Sequence, residues 1–142
     1  MQPILLDTDI LIDAALDRKP FAASALRLLD VLEKRPGHAY LAWHSISNFY
    51  YMVKPIKGGP LAKDFIRDLL RFVKIASTNH KDILYALRLP LNDFEDSLQC
   101  ACAIAAGAEV IATRNIKDYR RSPIPAQYPD TILKAWEKRS LV

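Results

Sequence analysis

Asn92-Asp93-Phe94-Glu95-Asp96 begins a predicted helix that continues through the apolar segment 97–108. Leu, Cys, Ala and Ile dominate that segment, which is the composition of a buried helix, yet its start carries three carboxylates. If the helix begins near Asn92, Asp93 and Asp96 lie on one face because they are three positions apart. Glu95 is rotated by about 200° from Asp93 and is expected to point elsewhere.

The neighbouring carboxylates of Asp93 and Asp96 have two explanations. Acidic side chains in the first turn stabilise a helix through its dipole. Two carboxylates held side by side also repel each other unless a cation or a proton lies between them. The pair is therefore either a helix start or part of a metal site, and the rest of the chain has to distinguish the two.

The remaining chain alternates short apolar strands with amphipathic helices. Ile4-Leu5-Leu6 is typical of a buried parallel strand, and Asp7 follows it directly, before a helix capped by Thr8 or Asp9. The other predicted elements are helix 20–34, strand 39–43, helix 45–53, flexible loop 54–60, helix 61–72, strand 73–76, helix 80–89, strand 109–113, an edge strand within 122–129 and helix 129–139. This alternation predicts an α/β fold with a parallel sheet and right-handed crossovers.

Composition limits the class of protein. The 142 residues are 51% hydrophobic and 25% charged, so we expect one globular domain spanning residues 1–142. The longest central apolar run, residues 100–108, is too short to span a bilayer, and no secretory signal is evident at the start, which predicts a cytoplasmic protein without a membrane partner. Cys100 and Cys102 face different directions on a helix and are predicted to be core residues. The net charge of +4 permits a polyanion partner without requiring one.

Carboxylates occur at three distant points that a parallel sheet brings together. Asp7 follows the first strand, Asp96 begins the helix before the fourth strand, and Asp118 lies just after the fourth strand. Because the carboxyl ends of parallel strands meet at one edge, we expect these residues to converge, with Asp93 beside them. Unpaired buried acids are unfavourable, and all-oxygen ligands suit Mg²⁺ or Mn²⁺.

Such a site predicts metal-assisted hydrolysis of a phosphodiester. A metal held by carboxylates activates water and neutralises charge on the transition state. Other chemistries lack their motifs, since the chain has no G-x-S-x-G elbow, no P-loop and no G-x-G-x-x-G.

Four segments resemble the PIN domain family in order and spacing, over nearly the whole chain. They are Ile4-Leu5-Leu6-Asp7-Thr8-Asp9, Ser45-Ile46-Ser47-Asn48-Phe49-Tyr50-Tyr51, Asp93-Phe94-Glu95-Asp96 and Thr113-Arg114-Asn115-Ile116-Lys117-Asp118-Tyr119. The resemblance implies a three-layer α/β/α fold with a five-stranded parallel sheet. It also implies a Mg²⁺- or Mn²⁺-dependent ribonuclease, of the kind found in VapC toxins that are dimeric and pair with an antitoxin protein.

The resemblance also implies roles for individual residues. Asp7, Asp96 and Asp118 match the family's acidic positions, which are catalytic and bind the metal. The supporting polar residues are Asp9, Thr113 and Asn115.

The chain departs from most PIN domains at Asn48, where Glu is usual. A subgroup with the pattern Ser-x-x-Asn-x-Tyr-Tyr and the Asp-Phe-Glu-Asp stretch resembles it closely. Asn48 can ligate through its carbonyl or hold a water, but it carries no charge. Asp93 either restores that charge as a further metal ligand or only caps its helix, and both alternatives stay open here.

Basic and aromatic residues give weaker predictions. Arg114 is expected either to contact an RNA phosphate or to serve the structure, and Lys54 and Lys57 are expected to guide RNA electrostatically. The aromatic residues predicted to form core and dimer packing are Trp43, Phe49, Tyr50 and Tyr51.

Three functions are compatible with the sequence. The first is a metal-dependent endoribonuclease that acts as the toxin of a toxin–antitoxin pair. The second is a PIN-fold module that binds RNA or protein and lost efficient catalysis with its Glu. The third is a Mg²⁺-dependent phosphatase or a nuclease on structured DNA.

Overall fold

The computed structural model describes all residues from Met1 to Val142 and contains a five-stranded sheet flanked by seven α-helices. The strands are β1 (Ile4–Leu6), β2 (Ala39–Leu41), β3 (Val73–Ile75), β4 (Val110–Ala112) and β5 (Ala126–Gln127). The helices are α1 (Thr8–Ala15), α2 (Ala22–Lys34), α3 (Trp43–Lys57), α4 (Gly59–Leu69), α5 (His80–Arg88), α6 (Phe94–Ala106) and α7 (Pro129–Lys138). All strand pairs are parallel, in the order β3-β2-β1-β4-β5, which confirms the predicted fold class.

Strand β1 lies at the centre of the sheet and is buried on both faces. Ile4 and Leu6 belong to the larger core cluster, which α1, α2, α3, α4 and α7 cover. Leu5 belongs to a second cluster on the other face, with Cys100 and Ala103 of α6. Helices cover both faces of the sheet, so the fold has three layers. Every side chain of β1 is therefore buried, which explains why the strand is apolar throughout. No helix of the structure is both long enough and apolar enough to span a lipid bilayer.

The segment 54–60 is not the flexible loop that its proline and glycine content predicted. Helix α3 continues to Lys57 with Pro55 inside it, and α4 begins at Gly59. Only Gly58 interrupts the two helices, with a φ of +86°, a conformation that glycine adopts without steric penalty. Helix α3 therefore continues through Pro55. Lys54 and Lys57 lie in its last turn and not in a loop.

Two helix starts differ from the prediction, α1 in the identity of its cap and α6 in its first residue. Asp7, and not Thr8 or Asp9, caps α1, since its side chain accepts a hydrogen bond from the Thr8 backbone N–H. Helix α6 begins at Phe94, with Asp93 as its cap. Asp residues are favourable at this position because they accept hydrogen bonds from the free N–H groups of the first turn.

Other features agree with the prediction. Gly107 ends α6 with a φ of +70°, and Cys100 and Cys102 are buried. A short 3-10 turn, Ile116–Tyr119, was not predicted, and it carries Asp118 to the carboxyl edge of the sheet.

Candidate active site

Asp7 lies at the end of β1 and is only 5% exposed. Its Oδ1 accepts hydrogen bonds from the Thr8 N–H at 2.7 Å and from Gln99 Nε2 at 3.3 Å. Its Oδ2 accepts from the Tyr119 hydroxyl and the Thr113 hydroxyl, both at 2.9 Å. Burial raises the pKa of Asp7, and the hydrogen bonds act in the opposite direction. The carboxylate is therefore held in one orientation by the adjacent Thr8 and by groups from two distant parts of the chain.

Asp9 lies two residues further, in the first turn of α1, and shares the Thr113 hydroxyl. Its Oδ2 is 3.0 Å from Thr113 Oγ1 and accepts a hydrogen bond from the Arg114 N–H at 3.2 Å. Its Oδ1 is buried and has no hydrogen-bond partner. Burial and the nearby charge of Asp7 raise the pKa of Asp9 to about 7. Asn115 supports the group by donating its N–H to Thr113 Oγ1 at 3.0 Å.

A cavity of about 560 Å³ opens beside Asp7 at the carboxyl edge of the sheet. Six carboxylates and one basic side chain, Arg18, contribute to its wall. The lining residues are Asp7, Thr8, Asp9, Ile12, Arg18, Ser47, Asn48, Tyr51, Met52, Asp93, Glu95, Asp96, Asn115 and Asp118. The structure thus brings Asp7, Asp96, Asp118 and Asp93 to one cavity, as their positions in the sequence predicted.

The cavity is electrostatically unfavourable for its own acids. Burial raises the pKa of Asp96 to about 7, and the charges of Asp7, Asp93 and Asp118 act in the same direction. As the side chains are arranged, no three His, Cys, Asp or Glu residues are positioned to hold one ion. The donor set nevertheless fits a hard divalent cation, because oxygens dominate the polar lining and the buried Asp9 Oδ1 lacks a partner.

Glu95 faces this cavity, so the prediction that it points elsewhere is wrong. Asn48 Nδ2 donates a hydrogen bond to Glu95 Oε1 at 2.9 Å. The rotation had been counted from Asp93, but Asp93 is a cap with extended backbone angles (φ −101°, ψ 124°) and not a helical residue. The Glu95 charge is close enough to contribute to the raised pKa of Asp7.

Asp93 serves as the helix cap that one of its two explanations required. Its Oδ1 accepts hydrogen bonds from the Glu95 N–H at 2.8 Å and the Asp96 N–H at 3.4 Å. The side chain also lines the cavity, so its role as a metal ligand stays a prediction.

A buried polar network beneath Asp7 was missed by the sequence reasoning. The Thr8 hydroxyl donates to Ser45 Oγ at 2.8 Å, and Gln99 Nε2 donates to the same Ser45 Oγ at 3.0 Å. Ser45 and Gln99 have no exposed surface, and Thr8 is 5% exposed. One signal was available, since Gln99 is a polar residue within an otherwise apolar helix. Tyr119 belongs to the last of the four PIN-like segments, and that segment did not predict its hydrogen bond to Asp7.

Arg114 makes structural contacts within the protein. Its Nε donates to Asp13 Oδ2 at 2.7 Å, and Asp13 is 1% exposed. Its guanidinium lies 4.4 Å from the centroid of the Phe21 ring. RNA contact by Arg114, Lys54 or Lys57 stays a prediction.

The four aromatic residues of α3 have different environments. Phe49 is fully buried and stacks on Phe65, as a core residue should. Trp43 and Tyr51 are 76% and 68% exposed, so core packing was wrong for these two. Tyr50 is partly buried against the core. Dimer packing by the exposed pair stays a prediction.

Comparison with known proteins agrees with the fold. A family model described as PIN domain matches residues 3–117. The chain is 20% identical to a chain of VapBC2 from Rickettsia felis bound to a promoter DNA fragment, with a TM-score of 0.69 and coverage of 89% of this chain and 98% of that one. It is 24% identical to a chain of a toxin–antitoxin complex from Klebsiella pneumoniae, with a TM-score of 0.64 and coverage of 89% of this chain and 97% of that one.

A third solved structure is VapC20 from Mycobacterium tuberculosis, described as a sarcin-ricin loop cleaving toxin. It is 15% identical, with a TM-score of 0.61 and coverage of 76% of this chain and 86% of that one. At identities of 15% to 24%, these three similarities show a common fold and no more. No curated protein matches the sequence.

Proposed function

Since the chain belongs to the PIN domain family, we propose that it is a Mg²⁺- or Mn²⁺-dependent endoribonuclease and the toxin of a VapBC-type toxin–antitoxin pair. One observation carries the proposal, namely the cavity at the carboxyl edge of the sheet whose wall six carboxylates line. Open α/β sheets bind their ligands at this edge. Acids gathered there without cationic partners need a cation to offset their repulsion.

Asp7, Asp96 and Asp118 would hold the metal, and Asp93 lies beside them on the cavity wall. When bound there, a divalent cation would supply an activated water and would offset negative charge at the phosphodiester. Tyr119 and Thr113 restrict the orientation of the Asp7 carboxylate through their hydrogen bonds. This preorganisation matters because a ligand that is already oriented loses less entropy when the cation binds.

Arg18 is the basic side chain of the cavity wall, and it would neutralise a phosphate of the RNA. The acidic lining would otherwise repel a polyanion until the metal is bound. The affinity for RNA is therefore expected to depend on the cation.

The structural neighbours support RNA as the substrate and an antitoxin as the partner. One neighbour is described as a toxin that cleaves the sarcin-ricin loop, another as VapBC2 bound to promoter DNA, and a third as a toxin–antitoxin complex. This support is an analogy at the level of the fold. The proposal includes a homodimer, a cytoplasmic location and no membrane partner.

Cleavage of labelled single-stranded RNA tests the proposal. The native protein should cleave in Mg²⁺ or Mn²⁺, and EDTA should abolish cleavage. Asp7→Asn should reduce the rate by about 100-fold or more, since it removes a charged ligand. Asp30→Asn is the matched control, because Asp30 is an exposed residue of α2 that pairs with Lys34.

A second candidate is a PIN-fold module that binds RNA or protein without efficient catalysis. The observation that favours it is Asn48, which places a neutral amide where most PIN domains carry Glu. A native protein that binds Mn²⁺ and RNA but leaves the RNA intact would favour this candidate over the ribonuclease.

Partnership is tested separately. Co-expression with the product of an adjacent small gene should yield a stable complex if the chain is a toxin. Light scattering on the purified chain should give twice the mass of 16.1 kDa if it forms a homodimer.

A further inference from the structure

We infer that Glu95 supplies the carboxylate that Asn48 lacks, so that α6 and not α3 delivers the fourth acid of the metal site. This inference rests on the proposed function, because it concerns the same cavity. It differs from the expectation that Asp93 would restore the missing charge.

The contact between Asn48 and Glu95 defines the position of the carboxylate. The two residues are 47 positions apart, on α3 and α6, and Asn48 Nδ2 donates to Glu95 Oε1 at 2.9 Å. Both side chains are partly buried and both line the cavity with Asp7 and Asp96. The amide therefore holds the Glu95 carboxylate close to the place that an acid at position 48 would occupy.

The second oxygen of Glu95 is free to act as a ligand. Glu95 forms one side-chain hydrogen bond, through Oε1, and no ion pair, so Oε2 accepts nothing from the protein. A carboxylate that is anchored through one oxygen and open at the other is a suitable monodentate ligand for Mg²⁺ or Mn²⁺. The anchoring amide is neutral and lies outside the ligand set, as a group that orients a metal ligand usually does.

Asp93 is less suited to this role because it forms no hydrogen bond with Asn48, the residue that stands where most PIN domains carry Glu. Its Oδ1 caps α6 by accepting from the N–H groups of Glu95 and Asp96. Glu95 has no comparable duty on its own helix.

The identity of residue 48 follows from the same geometry. A Glu at position 48 would bring a second carboxylate against Glu95, and the two acids would repel each other. With Asn at position 48 and Glu at position 95, the pair carries one carboxylate, as a pair with only one Glu at position 48 would. The Asn48 amide then donates a hydrogen bond to Glu95 in place of the repulsion between two acids. The two positions are therefore coupled, and the charge can be moved from one to the other.

Mn²⁺ binding measured by isothermal titration calorimetry tests this coupling in the full-length chain. Glu95→Gln should weaken Mn²⁺ affinity by about 10-fold or more. The double variant Asn48→Glu/Glu95→Gln should recover most of the lost affinity, because it returns one carboxylate to the same place. Glu109→Gln is the control, since Glu109 is exposed at the amino end of β4, on the opposite edge of the sheet.

The outcomes separate this inference from the proposed function. Native Mn²⁺ affinity in Glu95→Gln, or a double variant as weak as Glu95→Gln, would overturn the assignment of Glu95 alone. A native protein that binds no Mn²⁺ would overturn both. Glu95→Asp, which shortens the side chain by one methylene but keeps the charge and the helix, should show an intermediate loss, and circular dichroism should show that all variants are folded.

Discussion

Replacing Asp96 by Asn is expected to stabilise the metal-free protein near neutral pH, although it removes a proposed metal ligand. Asp96 is charged only at a cost in the folded chain, because burial and the charges of Asp7 and Asp93 oppose its ionisation. Asn keeps the size of the side chain and removes that charge. Function and stability should therefore respond to this substitution in opposite directions.

The size of the effect follows from the pKa. The pKa of Asp96 rises from 3.8 to about 7 in the folded protein, and one pKa unit corresponds to about 1.36 kcal/mol. The full shift is about 4 kcal/mol, which we reduce to about 2 kcal/mol because Asp96 is partly exposed and solvent screens its charge. For a chain of this length that is a rise of about 8 °C in the melting temperature.

The direction of the Asp96 pKa shift also determines how stability depends on pH. The folded chain keeps the Asp96 proton up to about pH 7, whereas the unfolded chain loses it near pH 4. The folded state thus binds more protons between these values, and the free energy of unfolding falls as the pH rises through this window. The native chain should lose this stability between about pH 4 and 7, and Asp96→Asn should not.

Thermal unfolding followed by circular dichroism in EDTA provides the assay, at about pH 5 and about pH 7.5 on either side of the folded pKa. Asp30→Asn is again the exposed control. A melting temperature of Asp96→Asn equal to or below that of the native chain at the higher pH would refute the reasoning. Added Mg²⁺ should raise the melting temperature of the native chain more than that of the variant, because it binds the folded native state.

Three further predictions concern the groups around Asp7. Tyr119→Phe should lower the free energy of unfolding by about 2 kcal/mol, measured with urea, because the hydroxyl donates to a buried carboxylate. Arg114→Ala should cost about 3 kcal/mol in the same assay, because it leaves Asp13 buried and unpaired, and a stable variant with weakened RNA cleavage would instead indicate an RNA contact. The rate of RNA cleavage at low Mg²⁺ should rise between about pH 6 and 8, as Asp96 loses its proton, and higher Mg²⁺ should shift the midpoint to lower pH.

The backbone arrangement of the site could be predicted because it depends on local patterns. An apolar run that ends in Asp7 is a buried strand whose next residue lies at the carboxyl edge of the sheet. The same reasoning placed Asp96 and Asp118 at that edge, and all three line one cavity. The parallel topology, which follows from alternating strands and helices, made these distant residues neighbours.

Side-chain direction near a helix start could not be predicted in the same way. The rule of about 100° per residue holds only inside a helix, and the position of the first helical residue was uncertain by two residues. That small error reversed the direction assigned to Glu95. Contacts between distant elements were equally inaccessible, since nothing local to Arg114 indicates that it pairs with Asp13 across 101 positions.

Sequence propensity gave wrong predictions at two positions where packing determines the structure. Pro55 and the following glycines predicted a loop, but α3 and α4 pack against each other and retain helical structure up to Gly58. Trp43 was expected in a strand and in the core, and it begins α3 with most of its surface exposed. Tertiary context overrides propensity at both positions.

The ribonuclease assignment depends on whether the acidic cavity converts a bound cation into cleavage of RNA. Titrating Mn²⁺ into labelled single-stranded RNA with native protein or Asp7→Asn decides this, with cleavage and Mn²⁺ binding followed in the same samples. We expect native cleavage to rise in proportion to bound Mn²⁺ and to be lost in Asp7→Asn. Cleavage that persists in EDTA or in Asp7→Asn, or Mn²⁺-loaded native protein that leaves the RNA intact, would contradict the assignment.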